Sequence, residues 1–272
     1  MPTLYLVGTP IGNLEDISLR ALRILGEVGL VAAEDTRVSG RLLKHYELDT
    51  PLISYHEHSD QARIAEIINK LSHSDIALIS DAGMPGLSDP GYRLVQAAIQ
   101  AGVKVVPVPG PSAAIAALVG SGLPTDKYLF YGFLPRQKKA RQQALTTVLP
   151  LPYTLVFYEA PHRLLALLTD VEAVLGDRQV SIGRELTKLY EEIWRGSASA
   201  AIAYFGVGKI RGELTVVVEG SNAAESRWDE AAVKAAFATE VGRGVGRKAA
   251  AATISQRSGW RKREVYDLTL PE

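Results

Sequence analysis

The chain has 272 residues, 47% of them hydrophobic, enough for a sizeable core and for more than one domain. Thirty basic residues balance thirty acidic ones, so net charge alone selects neither nucleic acid nor a membrane surface. The absence of cysteine excludes disulfides, thiolate metal sites and a cysteine nucleophile, and no signal-peptide pattern or long apolar run is present, so the expectation is a soluble cytoplasmic protein with no membrane partner.

Apolar spacing predicts a strand over 4–7 and a helix over 18–28 with Leu19, Leu22, Leu25 and Val28 on one face. A strand over 30–33, a basic helix over 38–46, a strand over 52–55 and a helix over 60–71 follow. Strands over 76–79 and 103–108 complete a first α/β domain, residues 1–111. Pro109-Gly110-Pro111-Ser112 punctuates the chain, and Ser112 suits the N-cap of an apolar helix over 113–119. A second α/β domain, residues 112–220, should hold strands over 128–133, 154–158, 180–184 and 213–219, with helices over 141–148 and 162–175. The small polar stretch 220–227 reads as a linker. Asp229 then caps a helix ending near Val241-Gly242, and segments 247–255 and 261–268 flank a turn at Gly259. Residues 228–272 thus form a small helical unit of helix-turn-helix type. Alternation of strand and helix through most of the chain is the pattern of the α/β class.

Three strand ends carry Gly/Pro-rich loops. Gly8-Thr9-Pro10-Ile11-Gly12-Asn13 follows the first strand, and Pro109 to Ser112 follows the strand over 103–108. The most informative loop runs over 79–91, Ile-Ser-Asp-Ala-Gly-Met-Pro-Gly-Leu-Ser-Asp-Pro-Gly. From Ser74 to Tyr92 there is no Lys, Arg or His, while Asp75, Asp81 and Asp89 are present. Phosphate loops pair glycines with a basic residue or an anion-directed helix end. This loop suits hydroxyls, an adenine edge or a cation instead. In open α/β sheets ligands collect beyond the carboxyl ends of strands, so three such loops favour one shared pocket.

These segments resemble the tetrapyrrole methylase family, the class III S-adenosylmethionine-dependent methyltransferases, and most closely its branch acting on small-subunit ribosomal RNA. The resemblance runs nearly end to end, through Tyr5 to Asp16, Ala33-Glu34-Asp35-Thr36-Arg37, the 79–91 loop, Pro109 to Ala113, Tyr131 to Arg136, Phe157 to Arg163, Gly183 to Lys188 and Gly212 to Thr215. The tetrapyrrole enzymes usually carry Gly-Asp-Pro where this chain has Ser80-Asp81-Ala82, which favours the RNA branch. The resemblance implies two α/β domains with S-adenosyl-L-methionine in the cleft between them, and a homodimer. It places Pro10, Asp81, Gly83, Met84, Ser112 and Ala113 on the cofactor from the first domain's loops, and Tyr158, Leu186 and Thr215 from the second domain. It also implies 2′-O-methylation of a cytidine in the decoding centre of 16S ribosomal RNA, with the RNA or the small ribosomal subunit as partner.

A weakly acidic ribose hydroxyl gains from a base within hydrogen-bond reach. Glu159, Asp35 and Glu34 are the candidates, with His162 and Glu185 behind them. Acidic residues beside arginines are also common structural ion pairs, as with Glu34 or Asp35 and Arg37. His56-Glu57-His58 lacks a third ligand at recognisable spacing, so no metal is expected.

Neutral net charge conceals basic patches. Arg136, Lys138, Lys139 and Arg141 form one, and Arg37, Arg41 and Lys44 another. Residues 241–272 hold seven basic against three acidic residues, among them Arg247, Lys248, Arg261, Lys262 and Arg263. Charge clusters are usually solvated faces, but with this cofactor resemblance they are candidate RNA contacts. Two further readings compete, a small-molecule methylase acting on a tetrapyrrole and a ligand-sensing DNA-binding regulator built on the C-terminal helices.

Overall fold

The computed structural model describes residues 2–221 and 228–269. Five strands, β1 (Thr3–Val7), β2 (Leu30–Ala33), β3 (Leu52–Ser54), β4 (Ile76–Ile79) and β5 (Lys104–Val108), form a first sheet. They are all parallel, in the order β3-β2-β4-β1-β5. Helices α1 (Leu19–Glu27), α2 (Thr36–His45), α3 (Gln61–Leu71) and α4 (Tyr92–Gln100) make the crossovers. Ser18, Asp35 and Asp60 start the first three by accepting the N–H groups of Ala21, Arg37 and Arg63. Ile24, Leu25 and Leu43 pack on one face of the sheet, and Ile67, Leu71 and Leu94 on the other. Covered on both faces, β4 is buried at all four residues, which is why it reads as a continuous apolar run. Helix α4 was not foreseen. It starts at Gly91 directly after the Gly/Pro loop and has no side-chain cap to announce it.

The second sheet contains β6 (Tyr128–Phe133), β7 (Thr154–Glu159), β8 (Gln179–Arg184), β9 (Glu192–Ser197) and β10 (Leu214–Val218) in the order β6-β7-β10-β8-β9. Only β6 and β7 are parallel. Helices α6 (Lys138–Val148), α7 (Leu164–Leu175) and α8 (Ala198–Phe205) cover one face around Leu145, Phe157, Leu164 and Val216. Helix α5 (Ala113–Gly120) covers the other, where Ala114, Ala117 and Leu118 meet Val156, Val217 and Ile11. Ile11 belongs to the loop after β1, so this small core joins the two sheets. The expected α/β class is the observed one. Strand β9, an edge strand, and the short alanine-rich α8 were missed.

Among the described residues from 228 on there are three helices, α9 (Glu230–Gly242), α10 (Arg247–Ser258) and α11 (Lys262–Leu268). They pack around Val233, Phe237, Ile254 and Val265, with Asp229 capping α9 and Gly259 ending α10 in the left-handed region at φ 69°. The linker expected over 220–227 lies, beyond Ser221, outside the described residues.

Two candidate RNA contacts are corrected by the packing. Helix α6 begins three residues earlier than expected and turns Arg141 inward. Its guanidinium is buried and paired at 2.6 Å with Asp170 of α7, which also holds Gln142. Arg247 is half-buried, stacks over the Phe237 ring at 5.2 Å and donates to the Thr269 carbonyl. Both arginines are spent on holding helices together rather than presented to phosphate.

Candidate active site

Parallel strands put all their carboxyl ends on one edge of the first sheet, and three loops there are physically joined. Thr9 and Gly83 exchange backbone hydrogen bonds of 2.9 and 3.1 Å, and the Thr9 hydroxyl donates to the Ser80 carbonyl at 3.2 Å. Gly8 lies against Gly110, where a Cβ would stand 2.8 Å from the Gly8 Cα. Gly83 has φ +80°, a conformation that side-chain-bearing residues rarely take. The second sheet contributes by register: Thr215 of β10 stands opposite Tyr158 on one side and Gly183 on the other.

Between these parts lies a cavity of about 350 Å³. Gly83, Met84, Ser112, Ala113, Tyr158, Leu186 and Thr215 line it, together with Asp89, Phe133 and Glu159. A second cavity of about 490 Å³ shares Ile11, Ala82 and Glu213 with the first and takes in Pro10, Asp81, Arg41, His45 and Lys188. All nine residues expected at the cofactor therefore line one or other of two adjoining spaces. The walls fit a cationic, hydroxyl-bearing molecule. Apolar Ile11, Met84 and Leu186 flank carboxylates, glycine backbone is accessible, and Ser112 adds a buried hydroxyl to the wall.

The base candidates occupy unequal positions. Asp35 caps α2 and is clamped by Arg37 through the backbone N–H at 2.8 Å and the guanidinium at 2.5 Å. That partner holds its carboxyl well below the usual range. Glu34 accepts the Asp81 N–H at 3.3 Å, and Asp81 accepts the Asp35 N–H at 3.0 Å, so the ends of β2 and β4 are laced by their own acids. Burial raises the pKa values of both Glu34 and Asp81. The Glu159 side chain is fully buried, accepts the Ala160 N–H at 2.8 Å and lies 3.0 Å from the Arg163 guanidinium. Burial raises its pKa against those partners, and its Oε2 has none among the described residues. Glu185 lines neither cavity. It pairs with Lys188 at 2.9 Å and receives the Glu213 N–H, interactions that lower its pKa. His162 is exposed on the short turn Pro161–Arg163.

Three residues escaped the sequence reading. Asp89, in the wall of the first cavity, has its pKa pushed up to about 6, by burial first and then by the charge of Glu34. Its signal was its place in the acidic loop. Phe133, 55% exposed, stands at the cavity wall with its ring 5.6 Å from that of Tyr158. Lys188 joins Arg41 on the second cavity, because the 184–191 turn folds back onto Gly12. Of the basic candidates, Arg41, Lys44, Arg136, Lys138, Lys139, Lys248, Arg261, Lys262 and Arg263 are exposed, while the exposed Arg37 is engaged by Asp35. Lys248, Lys262, Arg263 and Tyr266 line a shallow cleft on the C-terminal unit. Among the described residues no three His, Asp or Glu side chains are grouped to hold a metal, and no helix is long and apolar enough to cross a membrane.

The family model for the tetrapyrrole (corrin/porphyrin) methylases matches residues 3–202. A relative named ribosomal RNA small subunit methyltransferase I from Halalkalibacterium halodurans is 46% identical over 271 residues, covering 98% of this chain and 94% of that protein. One of the same name from Synechocystis is 44% identical, covering 99% of this chain and 98% of that protein. A third, from Thermotoga maritima, is 48% identical over 221 residues, 81% of this chain and 99% of that protein. Among solved structures, uroporphyrin-III-C-methyltransferase from Thermus thermophilus superposes with a TM-score of 0.55 at 22% identity, over 80% of this chain and 94% of that one, a likeness of fold. With joined Gly/Pro loops over a two-sheet cleft and a family model matching most of its length, this chain belongs to the tetrapyrrole methylase family, the methyltransferases that draw on S-adenosyl-L-methionine.

Proposed function

We propose that this chain is a ribosomal RNA methyltransferase that places a methyl group on the 2′-hydroxyl of a cytidine in the decoding centre of 16S RNA, working as a cytoplasmic homodimer. The observation that carries the reading is the near end-to-end match with relatives named for the small-subunit RNA. Exposed basic surfaces support it, Arg136, Lys138 and Lys139 after β6 and Lys248, Lys262 and Arg263 on the C-terminal unit. Their phosphate contacts would be strong, salt-sensitive and largely blind to sequence, leaving selectivity to RNA shape or a splayed-out base.

Pro10, Asp81, Gly83, Met84, Ser112, Ala113, Tyr158, Leu186 and Thr215 would hold the cofactor, whose positively charged sulfur makes the methyl group's leaving group a very good one. What the protein adds is position and dryness. The two sheets converge on the cleft, and the apolar walls exclude water while the carboxylates favour positive charge. The domain division at 1–111, 112–220 and 228–272 assigns the cleft to the first two units and additional RNA affinity to the third.

The test is to incubate the protein with labelled S-adenosylmethionine and, in parallel, 30S subunits, naked 16S RNA and a porphyrinogen. Label on RNA that disappears with a 2′-deoxy target establishes the acceptor atom. Label on the porphyrinogen alone overturns the reading.

A further inference from the structure

We propose that Asp89 is the general base that accepts the proton of the attacking hydroxyl. This deepens the ribose-methyltransferase reading and rests on it.

Three carboxylates line the first cavity, Asp89, Glu159 and Glu213. Glu159 is fully buried against Arg163, and Glu213 is paired with Lys188 at 3.1 Å. Asp89 has no ion pair among the described residues. A base must be free to take a proton, so the two paired acids are poorly suited. Asp35, clamped by Arg37, is poorly suited for the same reason.

Asp89 is also held in place. The Gly86 N–H donates to the Pro90 carbonyl at 3.2 Å and the Leu87 N–H to the Met84 carbonyl at 3.2 Å, closing the loop on both sides of it. Preceding Ser88 has φ 63°, and it abuts Gly132, where a Cβ would stand 2.9 Å from the Ser88 Oγ. Gly132 lies at the register shift in β6, so an irregularity of the second sheet makes room for the loop that carries Asp89. A carboxylate fixed on a braced loop in a cavity wall is preorganised, as a base needs to be.

The groups around Asp89 define its electrostatics. Glu34 comes from the end of β2, Asp81 and Ser80 from the end of β4, and Tyr158 from β7. Arg37 acts on Asp81 and His56 on Glu34. Asp89 therefore lies in the wall of the first cavity, close to the acidic ends of β2 and β4. Burial and like charge raise its pKa to about 6, suited to a base at neutral pH.

In the step, the O2′–H bond breaks and its proton goes to the Asp89 carboxylate. O2′ bonds to the methyl carbon, and the methyl–sulfur bond breaks with its electron pair left on sulfur. The products are the 2′-O-methyl ribose, S-adenosylhomocysteine and a protonated Asp89, which returns its proton to solvent.

The experiment is single-turnover methyl transfer to 30S subunits at saturating labelled cofactor, from pH 5 to 9, with Asp89→Asn and Asp89→Glu beside the wild type. The wild-type rate should fall below a pH no higher than about 6. Asp89→Asn should be slower by about 10²–10⁴-fold, without that acid limb and with cofactor affinity within about threefold by calorimetry. Asp89→Glu, which keeps a carboxylate, should recover part of the rate and the limb. An Asn variant within threefold of wild type, an acid limb retained in it, or a loss explained by cofactor affinity would overturn the assignment. Absence of RNA labelling by the wild type would remove the ribose reading and the base together, so the wild-type lane distinguishes the two failures.

Discussion

Thr9 and Gly83, 74 residues apart, exchange two backbone hydrogen bonds and so lock the loop after β1 to the loop after β4. The loop after β5 is locked to the first by contact between Gly110 and Gly8. One rigid rim results, and the second sheet reaches it through Ile11, whose side chain enters the core formed by α5, Val156, Leu186 and Val217. Strain placed anywhere on this rim should be felt as altered cofactor binding.

Gly110→Ala tests that coupling. The new Cβ would stand 2.8 Å from the Gly8 Cα and 2.9 Å from its carbonyl carbon, so backbone must move. Overpacking of this kind destabilises by about 1–3 kcal/mol. We expect a lower melting temperature and at least tenfold weaker S-adenosylhomocysteine binding in calorimetry. Unchanged affinity would mean that the loops are not coupled through this contact.

Asp81→Ala should weaken cofactor binding about tenfold, equivalent to about 1.4 kcal/mol, while circular dichroism stays native. The carboxylate faces the second cavity and ties the Asp35 N–H to the end of β4. Equal affinity in wild type and variant would rule out its role at the cofactor.

The arginine at 141 and its lysine neighbours should separate cleanly. Arg141→Ala leaves buried Asp170 without its ion-pair partner and should destabilise the fold by about 3–5 kcal/mol, read in denaturant melts. Lys138→Ala with Lys139→Ala should leave stability unchanged and weaken RNA binding, with a shallower salt dependence. Every phosphate that the variant no longer neutralises should reduce the slope by about 0.7–0.9. A stable Arg141→Ala protein with reduced RNA affinity would return Arg141 to the RNA-binding surface.

Asp89 links function to stability. Its folded pKa of about 6 lies above the ordinary value of 3.8, so the ionised form is disfavoured in the native state. The penalty is fully present above about pH 6, shrinks as pH falls and is absent below about pH 4, where both states are protonated. Two pKa units correspond to about 3 kcal/mol without screening. For a half-exposed carboxylate we expect about 1 kcal/mol. Asp89→Asn should therefore raise the melting temperature by about 2 °C at pH 8 and by nothing measurable at pH 4. A variant less stable than wild type at pH 8 would contradict the direction of the shift.

Much of the fold was legible because the local signals agree with the tertiary structure. Helices α1 and α3 carry apolar faces and side-chain caps at Ser18 and Asp60, and β4 is a short apolar run because it is covered on both sides. The exceptions lack a boundary or a face that stands out. Helix α4 has an apolar face, with Leu94 and Ala98 buried, but begins at an uncapped glycine straight after the Gly/Pro loop. Helix α8 is short, alanine-rich and weakly amphipathic, and β9 lies at a sheet edge.

The lining of the two adjoining cavities was readable for a related reason. Close backbone approach demands glycine and proline at strand ends, and those residue types are visible without coordinates. By itself the sequence determined the α/β class, the three Gly/Pro loops at strand ends and the acidic, base-free composition of one of them. Only the tertiary structure decided what each charged side chain is free to do. Arg141 and Arg247 look like surface cations until packing assigns them to Asp170 and Phe237, and Glu159 looks available until Arg163 encloses it. Asp89 is one acid among several until burial, the neighbouring charge of Glu34 and the fit of its loop against Gly132 set it apart. Charge is written in residue type, whereas reactivity depends on desolvation and partners, which arise only when distant segments meet.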